Sequence, residues 1–522
     1  PNFQGADRKK LMIEPRAKRI SGINKNPNGD QFHFDDGQIN GQPVYLGELR
    51  TDDQGRLLFL GGRGHSAAFE KDSEGKPVPL TTFANNQGWH DDTSDGPVDA
   101  EVTLPDGRTL QAEGAWVLTA PPNYAVGVQA FSTGYDLILN VAQSFKDDNN
   151  PYLQKGRAKF FRDIYPLFKN LSINQWVNAG GARELGWGSA LDFNENELIQ
   201  RLMDPRASAR PLRQNLFESF RNPDFITMQP ALWPPLYGDA ITFNIQSTDP
   251  RNWFAITPLQ YQNLQAWANG DFELNPIPSP RNWDDLSPTE QALGLTEAAL
   301  EETLGGPFHP GCEFTWPMRH AMMYDAPFRI KRRAKAKEDF GPTLSPDVAL
   351  APKGPLDGSS PGDITKWMAT PWQSDTSSCL SAYRTYSGEY LPTFWPARVP
   401  NDVLTEKDYH ILENDFDQQQ QITAFSPSSR KKWLRGFIYN EEGKIIGGSS
   451  ISDRMKGVTK FTQEWYKAGI ILKRPLDSHS KLFPNEVWVE TGRSADLDAH
   501  AKQLNQEETL GTWATINPRK LR

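Results

Sequence analysis

The chain has 522 residues, 37% hydrophobic and 23% charged, a globular balance with enough length for a large core or two to three packed regions. Its 65 acidic against 56 basic side chains give a net charge of -9, and no basic tract is interleaved with aromatics, which disfavours a nucleic-acid partner. No run approaches the roughly 18 apolar residues of a membrane span, and the opening PNFQGADRKK reads as a processed end rather than a signal peptide, so a soluble protein, cytoplasmic or secreted, is expected.

The first stretch reads as β-rich. Pro43–Leu49, Leu57–Gly62, Ala100–Leu104 and Ala115–Ala120 are short and apolar, and Asp36-Gly37, Asp53 to Gly55 and Asp106-Gly107 punctuate them, which predicts hairpins in a twisted sheet. The firmest hairpin is the one that turns at Asp106-Gly107. From Pro151 the period becomes helical, over Lys155–Leu167, Glu197–Met203, Thr257–Ala268 and Thr296–Thr303. Lys331–Gly362, charged and then rich in Pro, Gly and Ser, predicts a long surface loop or lid. Strands over Trp433–Tyr439 and Glu486–Glu490 return in the last third, with polar stretches such as Asp415–Gln421 between them. The fold class expected is α+β: a β-rich N-terminal region, residues 1–160, packed on a larger mixed α/β catalytic region, 161–522, with long loops. No fixed-period repeat suggests a solenoid or propeller.

Two cysteines, Cys312 and Cys379, rule out a disulfide-rich scaffold and a Cys-based zinc site. There is no GxGxxG after a strand, no GxxxxGK[ST], no HExxH and no GxSxG, which argues against nucleotide-binding, zincin and α/β-hydrolase chemistry. His90 beside Asp91 and Asp92 has the donors for a cation, but such a polar turn is more often solvated or self-capped. No metal site is assigned.

Two segments remain. Lys366–Cys379 places Asp375 four residues before Cys379, and Tyr390–Asp402 places Trp395 between Phe394 and Pro396. On a helical turn, the i,i+4 spacing puts Asp375 and Cys379 on one face. Gly388 offers a point of reversal that lets Trp395 return against the Cys379 sulfur. On spacing alone, an aromatic core with a buried thiol and a capping aspartate is the simpler reading.

At these residues the sequence resembles the LodA-like quinoproteins, the lysine ε-oxidase and glycine oxidase family. The resemblance runs in order through Phe83–Val98, Ala115-Trp-Val with Ala120-Pro-Pro, Pro235-Leu-Tyr-Gly-Asp, Leu264–Phe272, Gly305–Glu313, Trp372-Gln with Asp375 and Cys379, and Trp395-Pro-Ala-Arg. It implies a cysteine tryptophylquinone, in which the Trp395 indole is oxidised to an ortho-dione and joined by a thioether to Cys379. Asp375 takes the role of base in maturation and turnover. The implied reaction condenses a primary amine or amino acid with the quinone, transfers a proton from the substrate carbon to Asp375, and uses O2 to give hydrogen peroxide and ammonia. The resemblance implies no nicotinamide or flavin bound to this chain. A separate flavoprotein is implied for maturation, and a homo-oligomer fits the reading.

Weaker positions follow from the same likeness. His309 and Cys312 lie where a side chain would face substrate, with a packed turn as the competing reading. Tyr237 is read equally as a substrate contact and as core. Trp372 is read as structural, near the cofactor, and His320 as a satisfied core histidine. The interval between Cys379 and Trp395 is short for the family, and Cys312 stands where an aliphatic residue is expected, which leaves the substrate open. The ε-amine of lysine is favoured over glycine or another α-amino acid. A quinone amine dehydrogenase and a non-catalytic binding protein that retains the fold are the alternatives.

Overall fold

The computed structural model describes residues 5–25, 30–82, 84–119, 121–226, 231–236, 238, 249–277, 281–306, 315–333, 340–341, 343–378, 399–414, 417–433, 451–477 and 482–493. The chain divides into two compact units. One comprises Pro1–Pro121, Pro310–Asp375 and Val458–Gln463, the other Pro122–His309, Thr376–Gly457 and Glu464–Arg522. Helices and small sheets alternate, an α+β fold with no barrel.

In the first unit, Gly47–Thr51 pairs antiparallel with Leu57–Gly61, and Asp52 closes the turn by accepting the Gln54 and Arg56 N–H groups. Glu101–Thr103 pairs with Thr109–Gln111 across Asp106-Gly107, as the sequence predicts. Asp106 accepts the Arg108 N–H, and Gly107 takes the left-handed conformation (φ 85°) that a side chain would resist. Ser94–Val98 pairs with Ala115–Thr119. All ladders described in this unit are two-stranded, so the expected twisted sheet is a set of separate hairpins and short pairs. Ile39, Val44, Leu46 and Phe69 form a small core, with Leu11, Ile13 and Phe34 packed on it.

Of the long surface loop or lid expected over Lys331–Gly362, the described residues are largely irregular and mostly exposed from Gly341 to Lys353, whereas the end of the segment packs inward. A short helix, Pro346–Ala349, sits in it, and Leu356 and Ser359 are buried. Arg332 pairs with Ser359 in a parallel bridge, and Lys331 Nζ binds Asp357 at 2.6 Å. Among the described charges, Lys331, Arg332 and Arg333 pair with Asp357, Asp99 and Asp363.

The second unit is built on aromatic packing. Phe168 is fully buried, with ring centroids 4.9 Å from Phe193, 5.1 Å from Trp267 and 5.8 Å from Phe220. Trp267 donates its indole N–H to Leu202 O at 2.9 Å, which satisfies its polar atom inside the core. It lies on the helix Pro258–Ala268, set by a Thr257/Gln260 capping box and a proline in the first turn. The helix expected at Thr296 begins at Pro288, because Ser287 and Glu290 form a second capping box. The helix expected over Lys155–Leu167 is displaced: Gly156 has φ 83°, Ala158–Lys159 pairs in parallel with Phe272–Glu273, and regular α-helix runs over Tyr165–Ile173. A four-stranded sheet, in the order Lys431–Lys432, Asp402–Thr405, Glu486–Thr491, Ile470–Pro475, holds the strand expected near Glu486. Most of the strand expected over Trp433–Tyr439 lies outside the described residues.

Candidate active site

Asp375 lies on a short helix, Trp372–Ser378, whose residues 372 to 377 are all buried. Gln373, Ser374, Asp375, Thr376 and Ser377 are each no more than 1% exposed, and five consecutive buried polar side chains are costly unless hydrogen-bonded. Gln373 donates to Gly64 O at 2.8 Å and accepts from Ser66 Oγ at 2.7 Å. Ser374 Oγ donates to Pro371 O at 2.7 Å and accepts from Asn86 Nδ2 at 3.3 Å.

The chain around residues 81–95 holds this helix. Asn86 Nδ2 also donates to Thr370 O, and Thr370 N donates to Ala84 O at 2.6 Å. The buried Asp91 accepts the Trp372 backbone N–H at 3.1 Å, a carboxylate at a helix N-terminus, together with the Thr93 N–H and hydroxyl. Asp92 accepts the backbone N–H of Arg63 at 2.6 Å and of His65 at 2.9 Å. Asp95 accepts the Ile364 and Thr365 N–H groups, the Thr365 hydroxyl and the Trp116 indole. Burial pushes all three carboxyls above the ordinary aspartate range, and their hydrogen bonds act in the opposite sense. Burial likewise pushes the neighbouring His90 down. The acidic run that the sequence offered as cation donors therefore works through backbone amides, and no group of three or more candidate metal ligands occurs among the described residues.

In the second unit, the chain leading to Tyr237 is clamped by Arg221. Its buried guanidinium donates to the carbonyls of Leu232, Pro234 and Phe254, and burial lowers its pKa to about 9. Gly238 donates its N–H to Asn252 O at 2.8 Å, and a Cβ there would meet the Trp253 carbonyl at 2.4 Å. Gly305 is equally confined: a Cβ would lie 1.7 Å from Thr133 O. Both glycines of the quoted motifs thus answer a close backbone approach.

Of the predicted site residues, Asp375 and Trp372 are described, both buried on one helix. Cys379, Trp395, Tyr237, His309 and Cys312 lie outside the described residues. His320 is half-buried, edge-on to Trp316 at 5.9 Å. Asn86, Asp95, Gln373 and Arg221 were missed. Three aspartates within five residues, with no lysine or arginine among them, were the available signal for the anchor.

Two sequence profiles match the chain: L-lysine epsilon oxidase N-terminal over residues 1–119, and L-lysine epsilon oxidase C-terminal domain over 239–395. Between them they span more than half of the 522 residues, and the second includes Asp375, Cys379 and Trp395. The chain belongs to the L-lysine ε-oxidase family.

Within that family, the L-lysine 6-oxidase of Marinomonas mediterranea is 26% identical over 357 residues, 64% of this chain and 46% of the relative. The match thus spans about half of that relative's length. The structure of the ε-lysine oxidase from the same organism superposes with a TM-score of 0.62 at 22% identity, covering 95% of this chain and 77% of that one. The Schiff base intermediate of that organism's L-Lys ε-oxidase with L-Lys superposes at 0.56 and 23% identity, over 86% and 69% of the two chains. At these identities the superpositions establish a shared fold.

Proposed function

We propose that the protein oxidises the primary amine of an amino acid, the ε-amine of lysine first, using dioxygen and water and releasing an aldehyde, ammonia and hydrogen peroxide. The observation that carries this reading is Asp375: a carboxylate withdrawn from water on a helix anchored by Asp91, in a family-matched span that continues through Cys379 to Trp395. Cysteine tryptophylquinone, formed from Cys379 and Trp395, would supply an electrophilic carbonyl and take up the two electrons. The residue chemistry fits that group: a thiol able to form a thioether, an indole able to carry two carbonyls, and a buried carboxylate four residues from the thiol.

Asp375 receives the proton from the substrate carbon. A carboxylate held by a fixed helix, with little water to reorganise, is suited to that transfer. Asp91 acts on Asp375 through the helix start, so it is a positioning residue. Installation of the quinone draws on a separate flavoprotein.

Intact-mass measurement tests the cofactor. The quinone adds two oxygens and removes four hydrogens relative to the encoded chain, with the change mapping to peptides containing Cys379 and Trp395. An unmodified mass in a protein co-produced with its flavoprotein would overturn the proposal. Asp375→Ala is expected to lack quinone absorption and to lose at least about 10²-fold in peroxide release with lysine, the low end for a general base. Full colour and turnover in that variant would remove Asp375 from the mechanism.

A further inference from the structure

Thr376 follows Asp375 on the helix Trp372–Ser378 and is 0% exposed. A serine or threonine inside a helix commonly returns its hydroxyl to a carbonyl three or four residues back, which satisfies the polar atom locally. Ser374 does so, donating to Pro371 O at 2.7 Å. Thr376 does not: its Oγ1 is buried and has no hydrogen-bond partner among the described residues, on its own helix or elsewhere. A hydroxyl left bare in this way costs on the order of 1–3 kcal/mol, so the position calls for an acceptor.

Helical spacing points to one. Position 376 shares a face with positions 372 and 379, four residues back and three on. Trp372 is 2% exposed, so that face turns inward. Cys379 is one of the two quinone-forming residues of the proposed function, in the same family-matched span as Thr376 and Trp395. An ortho-dione offers two carbonyl oxygens that accept hydrogen bonds and donate none, and they gain negative charge when the ring takes up electrons. Gln373 and Ser374 direct donors to backbone carbonyls, and an ionised Asp375 has none, whereas Thr376 carries an O–H with no other use.

We propose that Thr376 is a catalytic residue of the reaction set out above, its hydroxyl donating a hydrogen bond to a carbonyl oxygen of the quinone built from Cys379 and Trp395, a role that rests on the cofactor reading given there. A donor fixed in advance acts most strongly where charge develops, so Thr376 favours the uptake of electrons while its neighbour Asp375 takes the proton. The two tasks fall to adjacent residues on one helix.

Full-length protein co-produced with its flavoprotein tests this. An unmodified intact mass in the wild type overturns the cofactor reading, and the role of Thr376 with it. A wild type that carries the quinone isolates Thr376. Thr376→Val removes the hydroxyl and keeps the branched shape. With circular dichroism unchanged and the quinone present by mass, its visible absorption maximum is expected to shift, and the equilibrium constant for reduction of the quinone to fall on the order of 10-fold, the loss of one hydrogen bond to a group that becomes charged. Thr376→Ser is expected to restore both. An absorption maximum or a reduction equilibrium equal to wild type in Thr376→Val would overturn the role while leaving the quinone in place, as would a serine variant that behaves like the valine. If Thr376→Val folds but forms no quinone, Thr376→Ser decides: recovery of the quinone upholds the role of the hydroxyl, and its continued absence overturns it.

Discussion

The anchor of the site helix and the aromatic core around Phe168 solve opposite problems. Residues 81–95 spend Asp91, Asp92, Asp95 and Asn86 on directional hydrogen bonds to backbone and polar groups, and almost every contact there has a defined donor and acceptor. Around Phe168 the cohesion comes from area removed from water, with Trp267 Nε1 as a rare polar atom to satisfy. The core is bulk stability, robust to orientation, while the anchor trades stability for a fixed position of one helix. Damage to each region should therefore look different.

The largest effect is expected in the core. Phe168→Ala removes a ring that packs on Phe193, Phe220 and Trp267 and should cost about 3–5 kcal/mol, read as a lower denaturant midpoint, with the content of the proposed quinone per folded molecule unchanged. Asp91→Ala is expected to cost less, about 2 kcal/mol, since it strips the cap from Trp372 and the partners from Thr93. Its quinone yield per folded molecule should fall nonetheless. Equal quinone yields in the two variants would erase the distinction between cohesion and positioning.

The smallest effect is a pH dependence in the second unit. Burial first, then the charge of Glu297, raises Asp136 to about 6, and burial with the charges of Glu297 and Asp136 raises Glu301 to about 7. The neutral carboxyls favour the folded state, so this contribution is complete below about pH 4 and is lost as pH rises through about 6 and about 7. Melting temperature should fall by a few degrees over that interval, and Glu301→Gln should flatten the slope. A wild-type slope that persists in the variant would assign the dependence to other groups.

Local chemistry made some of this legible in advance. The Asp106-Gly107 hairpin follows from a two-residue preference, while Asp375 was singled out by the family resemblance of its segment, since its spacing to Cys379 alone favoured a capping aspartate. The anchor was legible only as an odd acidic run, since the amide that Asp91 caps is 281 residues distant and no periodicity reports such a pairing. The start of the helix at Tyr165 was misjudged because the strand pairing of Ala158 with Phe272 is non-local and overrides helical period. The segment after Lys331 was read as a surface loop or lid throughout, and its buried end around Leu356 and Ser359 was not foreseen because proline, glycine and charge indicate turns without saying whether those turns pack.

The Asp91 cap also limits how the protein can be dissected. The donor at Trp372 and the acceptor at Asp91 fall in different profile-matched stretches, 239–395 and 1–119, so a fragment comprising the later stretch alone would carry Asp375 on a helix without its Asp91 cap. Removal of residues 1–119, which leaves Asp375, Cys379 and Trp395 in place, should therefore abolish formation of the proposed quinone as surely as replacing one of them.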